Sequence, residues 1–231
     1  MKKILSSMSV MLRQVREDAM LFIALFAPLL ITLAFFFLLP FVFKTFSFEL
    51  TRYYLLFDFL SILMTPYMFS YISIMIVLTE RDDKTLFQLI VSPLGRSGYL
   101  LSRLVVPVLI AFVYSLILQF FFPLSSTPYC LKALMAFMSS LYCLLIALLV
   151  INCSKNKVEG MAFVKLSSIL LLFVFLPFFS KAKSLILLCF IPSFVMGKIG
   201  GGESLWYLLP FFLFSFLYGT LLYNWFKKRC I

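Results

Sequence analysis

The sequence predicts an all-α protein that crosses a membrane six times. Three observations carry this. Of 231 residues, 64% are hydrophobic and only 13% are charged, against about 45–50% and about 25% in a soluble domain. Mean hydropathy is +1.11, more apolar side chain than a domain of this size can bury in its own core. The apolar residues form six long unbroken runs rather than the alternating segments of about 10 residues expected of a barrel. Water-soluble folds and disordered chains are excluded by the same figures.

The chain is read as one transmembrane domain over 1–231. Residues 1–19 do not form a signal peptide, because Ser6, Ser7, Ser9, Arg13 and Gln14 interrupt any apolar core. Ile4, Met8, Met11 and Val15 recur at helical spacing with Lys and Arg opposite, which predicts an amphipathic helix on the membrane surface. Spans need about 20 apolar residues. They are expected over Met20–Phe43, with kinks at Pro28 and Pro40, then Tyr54–Thr79, Tyr99–Phe122, Tyr129–Ile151, Met161–Phe179 and Trp206–Phe226. A shorter apolar piece, Ser184–Met196, contains Pro192 and fits a re-entrant segment within an outer loop over 180–205. Gly200, Gly201 and Gly202 then turn the chain into the last span.

Net charge is +11. Lys and Arg collect in cytoplasmic loops of membrane proteins. With the N-terminus inside, fourteen of the 20 Lys and Arg fall on cytoplasmic pieces and six outside, so both termini are expected in the cytoplasm of a cell-membrane protein. Nucleic acid is not an expected partner, since no basic run exceeds Lys227, Lys228 and Arg229. There is no His, which removes the commonest general base and metal ligand, and the five Cys lack metal-ligand spacing. Neither catalytic nor metal residues are assigned.

The loop over 80–98 is the most informative stretch. Glu80, Arg81, Asp82, Asp83 and Lys84 leave the membrane abruptly. Thr85 follows, and Leu86, Leu89, Ile90 and Pro93 recur at helical spacing, with Pro93 after Ser92 ending the helix. Such a helix is expected to lay its apolar face against a partner or on lipid. Within the second span, Asp58, Ser61, Thr65 and Ser73 share one face. Two readings stand: a face lining a path or a contact with a second subunit, or a hydrated Asp with hydroxyls bonded to their own backbone.

The run Glu80-Arg81, Thr85-Leu86, Ser92-Pro93-Leu94, Tyr99-Leu100 and Arg103 resembles the first cytoplasmic loop of permeases of the type-2 ATP-binding-cassette exporter family. The run Asn156-Lys157-Val158-Glu159-Gly160, with Lys165 beyond, is similar to the second cytoplasmic loop of the small drug-export permeases of that family. One departure is Lys84, where the family usually has Gly before Thr. The resemblance implies that Glu80–Pro93 forms a coupling helix docking on a separate ATPase. It also implies a role for Asn156, Lys157, Glu159 and Gly160 at the cytoplasmic ends of two spans, and a second permease subunit, identical or related. No phosphate-binding Gly-x4-Gly-Lys-Ser/Thr occurs here, so ATP and Mg are expected on the partner chain. A secondary transporter or channel is the alternative, and it would show interrupted spans or several buried ionisable residues.

Overall fold

With no water in the hydrocarbon, a spanning backbone must satisfy its own hydrogen bonds, and the apolar runs do so as helices. In the computed structural model, described over residues 2–46, 54–91, 95–179, 188–202 and 204–229, every regular element is helical. The order is α1 (Lys2–Glu17), α2 (Ala19–Phe46), α3 (Tyr54–Asp82), α4 (Thr85–Val91), α5 (Gly95–Leu100), α6 (Val106–Phe121), α7 (Tyr129–Cys153), α8 (Lys157–Leu172), α9 (Leu176–Phe179), α10 (Pro192–Gly200) and α11 (Leu208–Arg229). Six helical stretches are long and apolar enough to span: Ala19–Val42, Tyr54–Asp82, Ser97–Phe121, Tyr129–Cys153, Lys157–Phe179 and Leu208–Lys228. The protein is therefore an all-α, multi-pass membrane protein.

α3 and α7 form the centre. In their most apolar stretches 78% and 72% of residues are buried by the protein, against 22% in α2 and 6% in α11. Lipid tails are as apolar as Leu, so helices in a bilayer associate through packing and polar contacts. The Tyr67 hydroxyl of α3 donates to the Val164 carbonyl of α8 at 2.6 Å. Ser193 of α10 donates to the Leu170 carbonyl at 2.7 Å, and Asn152 Nδ2 of α7 donates to the Leu222 carbonyl of α11 at 2.9 Å. At Gly160, α8 comes so close to α3 that an added Cβ would lie 2.1 Å from Leu78 Cδ1.

Local departures from the expected spans have local causes. α2 continues through Pro28 and Pro40 as one helix. The third span begins before Tyr99 and contains a π-turn over Leu101–Val105. Pro107 cannot donate the next intrahelical bond, and Val106 N–H instead reaches back five residues to the Leu101 carbonyl. The widened turn buries three consecutive side chains, Ser102, Arg103 and Leu104. The fifth span starts at Lys157 rather than Met161, because the Asn156 side chain caps it by accepting from Glu159 N at 2.8 Å. It breaks after Leu172 and resumes as α9, which contains Pro177.

Of the expected re-entrant piece, Ser184–Met196, the part over 184–187 lies outside the described residues. The remainder leads into α10, nine residues long. At about 1.5 Å per residue α10 is too short to cross a bilayer, yet Phe194, Val195, Met196 and Ile199 are buried. α1 lays Met11 and Val15 into the core and leaves Val10 and Leu12 exposed. The sequence placed α1 on the membrane surface; the structure shows the inner face it packs against the bundle.

Candidate functional site

The two motif loops meet at one end of the bundle, through pairs of residues 70 to 75 apart in sequence. Arg81 Nη1 donates to the carbonyls of Ile151 at 3.0 Å and Ser154 at 2.7 Å. A cation there satisfies free carbonyls at the end of α7 and suits the negative pole of its dipole. Asp82 Oδ2 accepts from Lys157 N at 2.9 Å, so its carboxylate sits at the positive N-terminus of α8. Glu159 Oε2 accepts from Lys155 N at 2.8 Å, completing the cap begun by Asn156. Lys157 Nζ reaches Asp18 Oδ2 at 3.1 Å. Asp18 caps α2 in turn, accepting from Met20 N at 3.0 Å and Leu21 N at 3.4 Å. Partial burial pushes the Asp18 pKa up, but the bonds from Lys157, Met20 and Leu21 outweigh it and hold it below the ordinary value.

Behind this surface lies a buried charge cluster. Arg103 and Glu80 are 0% and 2% exposed. Arg103 Nη2 pairs with Glu80 Oε1, Nε donates to Glu80 Oε2 at 3.2 Å, and Nη1 donates to the Ser7 carbonyl of α1 at 2.7 Å. Tyr99 donates its hydroxyl to Glu80 Oε2 at 2.7 Å, and the hydroxyls of Ser7 and Ser102 are 3.2 Å apart. This fork of charge-assisted bonds joins α1, α3 and the π-turn. The same residue fixes the start of α4, since Thr85 Oγ1 donates to the Glu80 carbonyl at 3.1 Å. Between them, Lys84 turns the chain at φ 60°, the left-handed region that glycine occupies freely. The turn usually made with Gly is made here with Lys.

The expected exposed stripe on α4 is corrected by packing. Leu86 is 2% exposed, and Leu89 and Ile90 lie half-buried against the core of the same chain. Helical spacing defines a face without saying what covers it, and here the bundle covers it. The apolar side chains left outside are Phe87, 54% exposed, and Val91, 86% exposed, one turn apart. Ser92 and Pro93 lie outside the described residues.

A second buried pair holds the opposite end. Asp58 and Lys132 are 1% and 2% exposed, with Lys132 Nζ 2.9 Å from Asp58 Oδ2. Asp58 also accepts from Leu124 N at 3.1 Å, from Ser125 N at 2.8 Å and from the Ser125 hydroxyl. Gln119 Nε2 donates to Ser61 Oγ at 2.6 Å. Asp58 is thus enclosed by its own chain and neutralised by Lys132, not hydrated as one reading had it. The hydroxyls of Ser61 and Thr65 do bond their own helix, to the Asp58 and Ser61 carbonyls. Ser73 is buried in α3.

By position in the sequence Arg103 and Lys132 count as loop charge, one on each side of the membrane. Both are interior ion-pair partners, and the charge bias survives losing one from each side. The missed signal was isolation: each is a lone cation among apolar neighbours, where a buried charge needs a partner.

Helices arranged about two internal ion pairs, with a short helix projecting at the end where the motif loops meet, define a polytopic α-helical membrane protein. The sequence matches, over residues 11–226, the profile described as "Fluoroquinolones export permease protein Rv2686c-like". The chain belongs to that family of export permeases, in agreement with the resemblance to small drug-export permeases. No curated protein and no solved structure matches it.

Proposed function

We propose that this chain is the membrane-spanning half of an ATP-driven exporter. It pairs with a second permease subunit and is driven by a separate ATP-binding-cassette ATPase that carries ATP and Mg. The family description supports export and points to drug-like, aromatic substrates such as fluoroquinolones. The observation that carries the coupling is α4. It stands outside the spans with Phe87 and Val91 uncovered, while its first turn is bonded to Glu80, a member of the buried cluster. A push on α4 reaches α1, α3 and the third span through that cluster. ATP binding and release then biases the spans between two arrangements. The end bearing α4, with both termini, is cytoplasmic in this reading, in keeping with the charge bias.

The test is Phe87→Asp with Val91→Asp. Each apolar side chain buried at a docking face contributes about 1.5–3 kcal/mol. The double variant should insert normally, yet release the ATPase on co-purification or lose ATP-dependent fluoroquinolone uptake into inverted vesicles. Retained co-purification together with retained transport would refute the coupling role of α4.

A further inference from the structure

A cavity of about 300 Å³ lies between α1, α2, α3 and α6, beside the Glu80–Arg103 cluster, from which Ser102 reaches its wall. Its wall is almost wholly apolar, with Met8, Met11 and Val15 from α1, Phe26 from α2, Ile72 from α3 and Ile110 from α6. Ser102 of the π-turn also lines it, and its hydroxyl donates to the Tyr99 carbonyl at 2.9 Å. The volume falls at the lower end of the range for ligand pockets, about 300–1,000 Å³. Its mouth is flanked by Leu12, Phe26 and Ile110, which are 53%, 44% and 43% exposed. Phe26 and Ile110 lie on spans, so these side chains face acyl chains rather than water.

The charge at the mouth says which occupant fits. Met8, Leu12 and Arg16 follow one another at intervals of four along α1, so Arg16 stands one turn beyond Leu12 on the same stripe. Arg13 is bonded to Glu17 at 2.9 Å. Arg16 is exposed and holds no carboxylate among the described residues. We infer that this cavity takes one acyl chain of an anionic phospholipid, with the headgroup phosphate on Arg16. The acyl chain fills apolar space that the four helices leave open. The phosphate supplies Arg16 with the bidentate acceptor its guanidinium matches, and in an anionic lipid no headgroup cation offsets that attraction, as choline does in phosphatidylcholine. The site is independent of the ATPase reading, since it needs only the bilayer.

The experiment reconstitutes the full chain in nanodiscs containing phosphatidylglycerol or phosphatidylcholine, each with a photoactivatable group in the acyl chain, and maps adducts by peptide mass spectrometry. Adducts on the peptides holding Met8–Val15 and Pro107–Tyr114 should form in roughly fivefold higher yield with the anionic lipid, the ratio one interfacial Arg contributes. Arg16→Gln should reduce that yield to the phosphatidylcholine level. Ile110→Trp, which fills the mouth, should lower both, with adducts on the outward face of α11 unchanged as the internal reference. Equal yields from the two lipids, or a preference that survives Arg16→Gln, would overturn the inference and leave ordinary contact with the bilayer. Displacement of the adducts by a fluoroquinolone without any headgroup preference would overturn it as well, assigning the cavity to the transported compound. Should Ile110→Trp fail to insert, the surface change at Arg16 still decides.

Discussion

Removing one partner of the Glu80–Arg103 pair leaves a charge with nowhere to go. Glu80→Gln keeps the side-chain shape but takes the carboxylate from a guanidinium that is fully buried. Two of Arg103's three bonds end on Glu80 and the third on the Ser7 carbonyl, so a neutral amide keeps one acceptor, sets an NH2 donor where the other stood, and leaves the guanidinium charge uncompensated. Breaking a buried pair in this way costs about 3–5 kcal/mol. On the scale of soluble domains of similar length that is a fall in Tm of roughly 6–20 °C. Replacing both members by apolar residues, Glu80→Leu with Arg103→Met, removes the desolvated charges together and should recover most of the loss. The assay is thermal unfolding in detergent across the cycle of two single variants and the double, with ATP-dependent transport in vesicles measured beside it. Stability should be strongly non-additive. Transport should remain low in the double variant, because the polar connection from α4 to α1 and the third span is gone even where the fold is restored. A Glu80→Gln protein that melts within about 0.5 kcal/mol of the parent, or singles that sum to the double within that margin, would refute the reasoning.

At the opposite end, Asp58→Asn should cost about 3–5 kcal/mol by stranding Lys132, and adding Lys132→Met should recover most of it; an unchanged unfolding temperature in Asp58→Asn would show that the pair does not hold the 122–128 connection. Lys84→Gly should be neutral or stabilising by up to about 1 kcal/mol, because the left-handed turn costs a side chain about 1–2 kcal/mol and glycine returns part of that gain as chain entropy. Lys84→Val should destabilise by at least about 1 kcal/mol, and equal unfolding temperatures for the two variants would count against the strained turn. Asp18 has a folded pKa below its unfolded one, so its contribution is fully present above the ordinary carboxylate value near 4 and is lost as pH falls through the lower folded value. The stability gap between the parent and Asp18→Asn should therefore be constant above about pH 5 and shrink below about pH 4; a gap that does not change with pH would contradict the pairing with Lys157.

Six spans, their approximate limits and the two motif loops could be read along the chain, because crossing a bilayer demands about 20 apolar residues in a row and charge marks where the chain leaves it. That information is local, and each stretch carries it alone. The outward face of α4 is not set locally. Leu86, Leu89 and Ile90 announce a helix with an apolar side, yet only the position of the bundle decides that this side turns inward and that Phe87 and Val91 remain outside. The same holds for the ion pairs. Glu80 finds Arg103 through the π-turn ahead of Pro107, and Asp58 finds Lys132 across 74 residues. A charge in an apolar run tells that a partner must exist, since leaving it unpaired is too costly. Which partner it is depends on which helices pack side by side, and that is settled by complementary surfaces, such as the close contact of α8 and α3 at Gly160, rather than by any spacing along the sequence.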